Sequence, residues 1–244
     1  MKIRPLFKHF GSKWMGAKHY PPPIDGCPVI EPYAGSAGYS LNHCDRAVTI
    51  WEDDPLLAEL WRWILGEATP DRVRAIPLHV PEGTDIRSLE LPRGESLLLK
   101  HWQRTNNVGD CWTISPWGNK PGQWTANTRA RVADEIEAVR HWRFARPSFT
   151  EVATYFLDPP YEFNYRYRFR TPFDHAAMAT QIRGLPAGCL VIACEARCPK
   201  THRSPTYLPF RESHVQITSR RQAHEHTHSR ELVWIADPRT GEKR

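Results

Sequence analysis

One tetrapeptide, Asp158-Pro159-Pro160-Tyr161, has the residue types and spacing to hold a planar amine. Prolines have no backbone N–H and a fixed φ, so this stretch is rigid and its carbonyl oxygens stay available as acceptors. The Asp158 carboxylate and the Pro159 carbonyl can together accept both hydrogens of an amine on an aromatic ring. The Tyr161 ring offers a face on which a flipped-out base can stack. The competing interpretation is a proline-rich strand exit with a capping Asp.

A glycine-rich segment near the N-terminus is typical of a nucleotide-binding turn. It reads Glu31-Pro32-Tyr33-Ala34-Gly35-Ser36-Ala37-Gly38. Gly35 and Gly38 permit close approach of a ligand to the backbone. Glu52 follows about 20 residues after Glu31, where a carboxylate can accept both hydroxyls of a ribose. The segment lacks a complete GxGxxG pattern, so by itself it is weak evidence for a cofactor site.

The elements around the glycine-rich segment alternate as in an α/β sheet. The segment CPVIEP predicts a strand, and the glycine-rich turn that follows it predicts the start of a helix. A second strand, AVTIWE (47–52), ends in the acids Glu52, Asp53 and Asp54, and Pro55 then opens the amphipathic helix PLLAELWRWIL. This order predicts half of a doubly wound nucleotide-binding sheet.

The C-terminal half continues the alternation of helices and strands. Helical patterns occur in TRARVADEIEAVRHW and HAAMATQIRGL, and apolar strand patterns occur in ATYFL, CLVIACEA, HVQIT and ELVWIAD. Asp158 directly follows the strand ATYFL. Ligands of open α/β sheets bind beyond the carboxyl ends of the strands, so Asp158 is placed where a ligand is expected.

The region 66–125 between these halves has no strong hydrophobic period. Prolines are scattered through it, and it contains Trp102, Trp112, Trp117 and Trp124. An unstructured loop of that length is unusual inside a compact protein. We therefore predict an inserted small domain at 66–125 within a main domain made of 1–65 and 126–244.

Composition is that of a soluble globular protein with a basic surface. The 244 residues are 40% hydrophobic and 25% charged, with a net charge of +6. The excess of positive charge fits a polyanionic partner, although solubility alone also explains it. No apolar run approaches the roughly 18–20 residues that cross a bilayer, and the basic start leads into no signal-peptide core. We therefore expect a cytoplasmic protein without a membrane partner.

Two further runs could bind ligands. Arg166, Arg168 and Arg170 alternate with aromatic residues, which in an extended chain places the guanidinium groups on one face for phosphates and the rings on the other for bases. A solvated edge strand explains the same pattern. The run His224–His228 has imidazoles at a spacing able to bind zinc, but an exposed loop is the more frequent explanation and no metal is predicted.

Taken together, these segments resemble the Dam-like (alpha-group) adenine DNA methyltransferases. The motifs of that family run in the order cofactor start, glycine-rich loop, recognition insertion and catalytic tetrapeptide. Here they are FGSK (10–13), EPYAGSAG (31–38), the insertion 66–125 and DPPY (158–161). YLPF (207–210) and ELVWIAD (231–237) are also similar to the family's closing segments, so the resemblance covers nearly the whole chain.

The resemblance implies a class I methyltransferase fold, a Rossmann-like seven-stranded mixed sheet with helices on both faces and an inserted DNA-recognition module. It also implies transfer of a methyl group from S-adenosylmethionine to N6 of adenine in double-stranded DNA, without a metal, by a monomer or weak dimer. A cytosine-N4 methyltransferase and a non-catalytic DNA-binding protein on this fold are the alternatives. Asp158 favours adenine, because the cytosine-specific relatives usually carry Ser at that position. A solitary phage enzyme and the modification half of a restriction system both stay open.

The resemblance also implies roles for individual residues. Lys13 would contact the methionine end of the cofactor, Glu52 would hold its ribose, and Asp158–Tyr161 would hold the target adenine. His9 departs from the family, which usually has Tyr or Trp there, so that Phe10 or Trp14 would have to supply the stacking contact. The implied cofactor-binding residues are His9, Phe10, Gly11, Lys13, Glu31, Pro32, Ala34, Gly35, Ser36, Gly38, Glu52, Asp53 and Asp158.

Overall fold

The computed structural model describes residues 2–103, 111–160, 175–196, 214–217 and 231–240. Some residues singled out from the sequence lie outside these ranges. They are Tyr161, Arg166, Arg168, Arg170, the segment 207–210 and His224–His228.

The described strands form one mixed sheet. They are β1 Val29–Glu31, β2 Val48–Ile50, β3 Arg143–Phe144, β4 Thr154–Leu157, β5 Leu190–Ala196, β6 His214–Ile217 and β7 Glu231–Ala236. Their order in the sheet is β3-β2-β1-β4-β5-β7-β6. The first five strands in that order are parallel to one another, and β7 runs antiparallel to both β5 and β6. The predicted α/β class with a mostly parallel, mixed sheet is therefore confirmed.

Five α-helices accompany the sheet in the described ranges. They are α1 Pro55–Gly66, α2 Pro70–Ala75, α3 Arg93–Trp102, α4 Ala126–Glu135 and α5 His175–Arg183. The predicted start of α1 is confirmed, since Pro55 occupies the first turn and the Asp54 carboxylate accepts the Leu56 backbone N–H at 2.9 Å. The buried side chains of α1, such as that of Leu60, face the core.

Both faces of the sheet are covered by helices. Strand β4 illustrates this, because successive side chains of a strand point to opposite faces. Tyr155 and Leu157 pack with Met178 and Ile182 of α5, whereas Phe156 belongs to the larger cluster that contains residues of α1, α3 and α4. All four strand residues of β4 are buried, as expected for a parallel strand between two layers of helices.

The chain after the glycine-rich turn differs from the prediction. In place of an α-helix, tight turns lead into a short 3₁₀ helix, Ser40–His43. Ala37 has a left-handed backbone with φ of 52°, a conformation that a continuous α-helix does not contain. The Ser40 backbone N–H donates to the Glu31 carboxylate at 3.1 Å, where an α-helix would use it for a backbone carbonyl. The buried Glu31 side chain therefore takes the place of the backbone acceptor that an α-helix would provide for Ser40.

The region 66–125 contains α2, a 3₁₀ helix at Ile86–Leu89 and α3. Helix α3 was not identified in the sequence, and every residue from Gly94 to Trp102 is buried, including the polar residues Glu95, Lys100 and His101. A Cβ atom at Gly94 would lie 2.1 Å from Cγ of Trp63, so glycine allows α1 and α3 to pack closely. The region shares one hydrophobic cluster with β1, β2 and α1, and its recognition role stays a prediction.

Candidate functional site

Three acidic side chains stand at the carboxyl edge of the sheet. Glu31 is the last residue of β1, Glu52 follows β2, and Asp158 follows β4. These three strands are neighbours in the order β2-β1-β4. The strand order reverses between β1 and β4, which is the position where open α/β sheets form a ligand crevice. The three carboxylates therefore mark a candidate binding site.

The N-terminal segment reaches this edge through a lysine. The Lys13 Nζ donates to Oδ2 of Asp158 at 2.5 Å and to the Gly11 carbonyl oxygen at 2.9 Å. The two side chains of the ion pair are only 8% and 14% exposed. A charge pair this far removed from water is held more firmly than a surface pair, because solvent screens it less. The segment around Lys13 and Asp158, the first residue of the predicted catalytic tetrapeptide, thus belong to one site.

Two glycines of the loop after β1 make room for the N-terminal segment. A Cβ atom at Gly38 would lie 2.4 Å from the Trp14 backbone nitrogen and 2.8 Å from that of Lys13. Gly35 has φ of 49°, and a Cβ atom there would lie 2.8 Å from Cδ2 of His9. We expected these glycines to permit close approach of a ligand. The groups found against them are the backbone and the His9 ring of the protein itself.

Glu52 is held by backbone donors on both of its oxygens. The Gly35 N–H donates to Oε2 at 2.9 Å, and the Asp54 N–H donates to Oε1 at 3.0 Å. A carboxylate has about four acceptor positions, so each oxygen keeps capacity for a further donor. Burial raises the pKa of Glu52 to about 7, although these backbone hydrogen bonds act to lower it. The carboxylate is therefore fixed in orientation and still able to accept hydroxyl groups.

Glu31 is the most enclosed acid of the site. Its side chain is 2% exposed, and Oε2 accepts the Ser40 N–H at 3.1 Å and the Ser40 hydroxyl at 2.5 Å. The pKa of Glu31 is raised to about 8, mainly by burial and in smaller part by the neighbouring Asp158 carboxylate, while the Ser40 hydrogen bonds and Lys13 oppose the shift. Glu31 thus carries a proton over much of the range below neutral pH.

His9 lies with its ring against Gly35 and interacts electrostatically with Asp54 and Asp158. Its Nδ1 atom is buried and has no hydrogen-bond partner among the described residues. Burial lowers the pKa of His9 to about 4, although Asp54 and Asp158 act to raise it. The imidazole is therefore neutral at physiological pH. A neutral ring at this position offers a flat, partly polar surface next to the loop.

The other predicted cofactor-binding residues lie in the N-terminal segment, in the loop after β1 and, for Asp53, after β2. Pro32 and Ala34 are buried in the loop after β1, and the hydroxyl groups of Ser36 and Ser12 are 2.8 Å apart. Asp53 is exposed and accepts the Trp51 indole N–H at 2.8 Å.

Phe10 and Gly11 are partly buried beside the ion pair. The Trp14 indole donates to the Ile3 carbonyl oxygen at 2.7 Å, so its ring is packed on the N-terminal segment. Pro159 and Pro160 directly follow Asp158 and lie with it at the edge of the sheet.

Three residues of the site were missed in the sequence. Ser40 holds Glu31, the Trp61 indole donates to the Gly35 carbonyl oxygen at 2.8 Å, and Asp54 both caps α1 and positions Glu52. Trp61 has a helical spacing that predicts burial but not its hydrogen bond. Nothing in the spacing of Ser40 indicates its contact with Glu31.

The arrangement has the chemistry of a site for a small ligand that carries hydroxyl groups and positive charge. Glu52, Glu31 and Asp158 are acceptors at three strand ends, and Lys13 is the one cation found between them among the described residues. No group of His, Cys, Asp or Glu in the described ranges is arranged to hold a metal ion. None of the described helices combines the length and the apolar composition that crossing a membrane requires.

No family model matches the chain, and no curated protein sequence matches it significantly. A doubly wound sheet alone supports many activities, so the fold by itself does not select one.

Proposed function

We propose that this chain is an S-adenosylmethionine-dependent DNA methyltransferase that methylates N6 of adenine. The observation that carries the proposal is the meeting of Lys13 and Asp158, 145 residues apart, beside Glu31 and Glu52 at the switch point of the sheet. The sequence resemblance assigns the first two of these residues to the cofactor and to the target base. Their contact at one site supports that assignment.

The sheet supports the proposed fold family. Its order β3-β2-β1-β4-β5 is that of a doubly wound nucleotide-binding sheet, and the antiparallel β7 beside β5 makes it mixed. A seven-stranded mixed sheet of this kind is what the resemblance to class I methyltransferases implies. Helices on both faces, with α5 on one and α1 on the other, agree with it.

The residues present fit S-adenosylmethionine. Glu52 has acceptor capacity for two ribose hydroxyls, and the neutral His9 ring against Gly35 offers a face at the usual aromatic position. The acids Glu31 and Asp158 beside Lys13 suit a ligand end with both charges, because the acids can accept from an ammonium and the lysine can donate to a carboxylate. When bound, the cofactor supplies an electrophilic methyl group on a sulfonium. The protein's task is then to hold that end and the target amine in line.

Asp158 and Pro159 would hold the amine of a flipped-out adenine. The Asp158 carboxylate and the Pro159 carbonyl accept the two amine hydrogens, which aims the nitrogen lone pair out of the ring plane. Lys13 fixes the carboxylate through the 2.5 Å ion pair, and a carboxylate with about four acceptor positions can accept from the amine as well. Once methylated, the amine nitrogen bears a positive charge and releases one of its own two protons to water. Orientation and fixed charge supply the rate enhancement.

Double-stranded DNA is the proposed partner, and the region 66–125 lies in reach of the site. The Lys8 ammonium, next to His9, donates to the Gln123 amide oxygen at 2.7 Å, which ties the end of the region to the N-terminal segment. Trp117 is 55% exposed with the Lys120 ammonium 3.8 Å from its ring centre. An exposed ring with a cation suits bases and phosphates, as does the net charge of +6.

A product assay tests the proposal directly. The protein is incubated with methyl-labelled S-adenosylmethionine and duplex DNA of mixed sequence, and the hydrolysed nucleosides are separated by chromatography. We expect label in N6-methyladenine. Label in N4-methylcytosine would establish the cytosine alternative, and binding of DNA without any labelled nucleoside would establish the non-catalytic one.

A further inference from the structure

Residues 5–8 of the N-terminal segment are held by side chains from other parts of the chain. The Trp102 indole at the end of α3 donates to the Leu6 carbonyl oxygen at 2.9 Å, and the Arg131 guanidinium of α4 donates to that of Pro5 at 3.0 Å. Residues 2–16 contain no helix or strand, so no regular ladder of backbone hydrogen bonds fixes their path. Contacts of this kind therefore place the segment.

Lys8 adds side-chain contacts to this attachment. Its ammonium donates to the Gln123 amide oxygen at 2.7 Å and lies 5.5 Å from the Trp102 ring centre. The Arg131 guanidinium lies 5.7 Å from the same ring centre, and Trp102 is only 7% exposed. A cation over an aromatic ring is attracted to it, more strongly where water is displaced. We call the three residues that hold residues 5–8, namely Trp102, Gln123 and Arg131, the segment clamp.

The clamped residues lead directly into the crevice. The His9 ring comes next and lies against Gly35, and a few residues later Lys13 pairs with Asp158. The stretch from Lys8 to Lys13 is short and has an anchor at each end. The position of the Lys13 ammonium therefore depends on the clamp as well as on Asp158.

Phe7 provides a second route from the clamp to the acids of the site. Its side chain is fully buried, and its ring meets that of Trp61 edge-on with ring centres 5.2 Å apart. The Trp61 indole donates to the Gly35 carbonyl oxygen, and the Gly35 N–H donates to Glu52. Packed side chains thus connect residues 5–8 to Glu52 as well as to Asp158.

We propose that the segment clamp positions Lys13 against Asp158, and that Trp102 and Gln123 thereby set the affinity of the crevice for its ligand without touching that ligand. Region 66–125 then has a role in the crevice besides the proposed DNA recognition. If the clamp is released, residues 9–13 keep a single anchor and visit more conformations, so a ligand has to order them when it binds. The choice of S-adenosylhomocysteine as test ligand rests on the proposed function, whereas the position of Lys13 is measured without a ligand.

Competitive labelling of lysine amines measures how often Lys13 leaves Asp158. The free protein is treated with a trace of acetic anhydride, and acetylation of each lysine is quantified by mass spectrometry. An amine that is paired with a carboxylate and only 8% exposed reacts slowly. Lys18 is exposed and is the internal reference, so the ratio of Lys13 to Lys18 labelling reports the pairing.

Two tryptophans of the same region give a matched pair of variants. Trp102→Phe keeps an aromatic ring and removes the indole N–H that holds Leu6. Trp124→Phe is the control, because Trp124 is also buried and its indole donates to the Pro77 carbonyl oxygen at 3.1 Å, outside the N-terminal segment. A merely structural loss should affect the two variants alike.

We expect Trp102→Phe to raise the labelling ratio about three- to tenfold and to weaken S-adenosylhomocysteine binding in calorimetry by a similar factor, as the loss of one hydrogen bond implies. Trp124→Phe should change neither quantity. Gln123→Leu removes the acceptor of the Lys8 ammonium and should change both quantities in the same direction as Trp102→Phe. The result therefore does not depend on the folding of one variant.

An unchanged ratio in both Trp102→Phe and Gln123→Leu would overturn the proposal, and so would an equal rise in Trp124→Phe. A raised ratio with unchanged ligand affinity would overturn the link between the clamp and the ligand. If the wild-type protein does not bind S-adenosylhomocysteine, the proposed function fails, and the labelling ratio still decides whether the clamp positions Lys13.

Discussion

The two ends of the site hold their carboxylates in different ways. On the side of β1 and β2, Glu31 and Glu52 accept hydrogen bonds from neutral donors, namely Ser40 and the backbone of the neighbouring loops. On the side of β4, Asp158 pairs with the Lys13 ammonium. Neutral donors compensate burial only in part, and the pKa values of Glu31 and Glu52 are raised to about 8 and about 7.

Under the proposed function, this difference suits two tasks within one crevice. Acids whose pKa values lie near neutral can respond to the charge of a ligand, which suits the binding of a cationic cofactor. An acid held by a fixed cation keeps its position whatever is bound nearby, which suits the orientation of an amine.

The largest effect is expected on the β4 side. Asp158→Asn keeps the shape of the side chain but removes the charge that holds the amine, so turnover should fall more than about 100-fold while S-adenosylhomocysteine binding changes little. The rate is measured at saturating DNA and cofactor. Asp134→Asn, which removes a surface partner of Arg74, is the control. Retention of more than about a tenth of the rate would contradict the catalytic role.

Gly38→Ala should separate the N-terminal segment from the loop after β1. The added Cβ would meet the Trp14 backbone nitrogen at 2.4 Å, and a backbone contact cannot relax by rotating a side chain. We expect destabilisation of about 1–3 kcal/mol by chemical denaturation, with weaker cofactor binding. Gly66→Ala is the matched control, because nothing lies within 4 Å of its added Cβ. Equal stability of the two variants would show that the segments do not pack as described.

Glu52→Ala tests the ribose contact on the β2 side. Hydrogen bonds to a charged acceptor contribute about 1.5–3 kcal/mol each, so S-adenosylmethionine should bind at least about tenfold more weakly. Calorimetry measures the affinity, and thermal unfolding of the free variant checks that the loop after β1 is retained. An unchanged affinity in a folded variant would place the ribose elsewhere.

The arginine run tests whether DNA extends beyond the base site. Replacement of Arg166, Arg168 and Arg170 together by Gln should flatten the plot of log affinity against log salt by about 0.9 for each lost phosphate contact. Binding should weaken to a similar extent on target and non-target duplexes, because phosphates carry no sequence information. Isotherms at several salt concentrations measure the slope, and an unchanged slope would assign these residues to the solvated surface.

The smallest effect is a pH dependence of the free protein's stability. The folded-state pKa of Glu31 is raised from 4.5 to about 8, so its contribution to stability is complete below pH 4.5 and is lost as the pH rises toward 8. His9 has its folded-state pKa lowered from 6.5 to about 4, so its contribution changes only below pH 6.5. Between pH 6.5 and 8 the melting temperature should therefore fall more steeply in the wild-type protein than in Glu31→Gln. Parallel curves would show that Glu31 does not titrate in this range.

Several elements were predictable because their signals are local. Helix α1 begins where Asp54 can cap it and Pro55 fits the first turn, and β4 is an apolar run that ends at Asp158. Helix α3 was missed, and the burial of its polar residues Glu95, Lys100 and His101 depends on tertiary packing that the sequence pattern does not indicate. The helix expected after the glycine-rich turn is only a short 3₁₀ helix, Ser40–His43, because the Ser40 N–H donates to Glu31 instead of a backbone carbonyl.

The amino-acid sequence indicates which residues are available to the site, namely Lys13, Glu31, Glu52 and Asp158, in segments whose residue types suit ligand binding. The pairing of Lys13 with Asp158 and the enclosure of Glu31 by Ser40 are visible only in the folded chain. Local preferences act over a few residues of chain, whereas these contacts depend on which strands lie side by side. The sheet order β2-β1-β4 brings the strand ends together, and that order is set by the packing of the whole core.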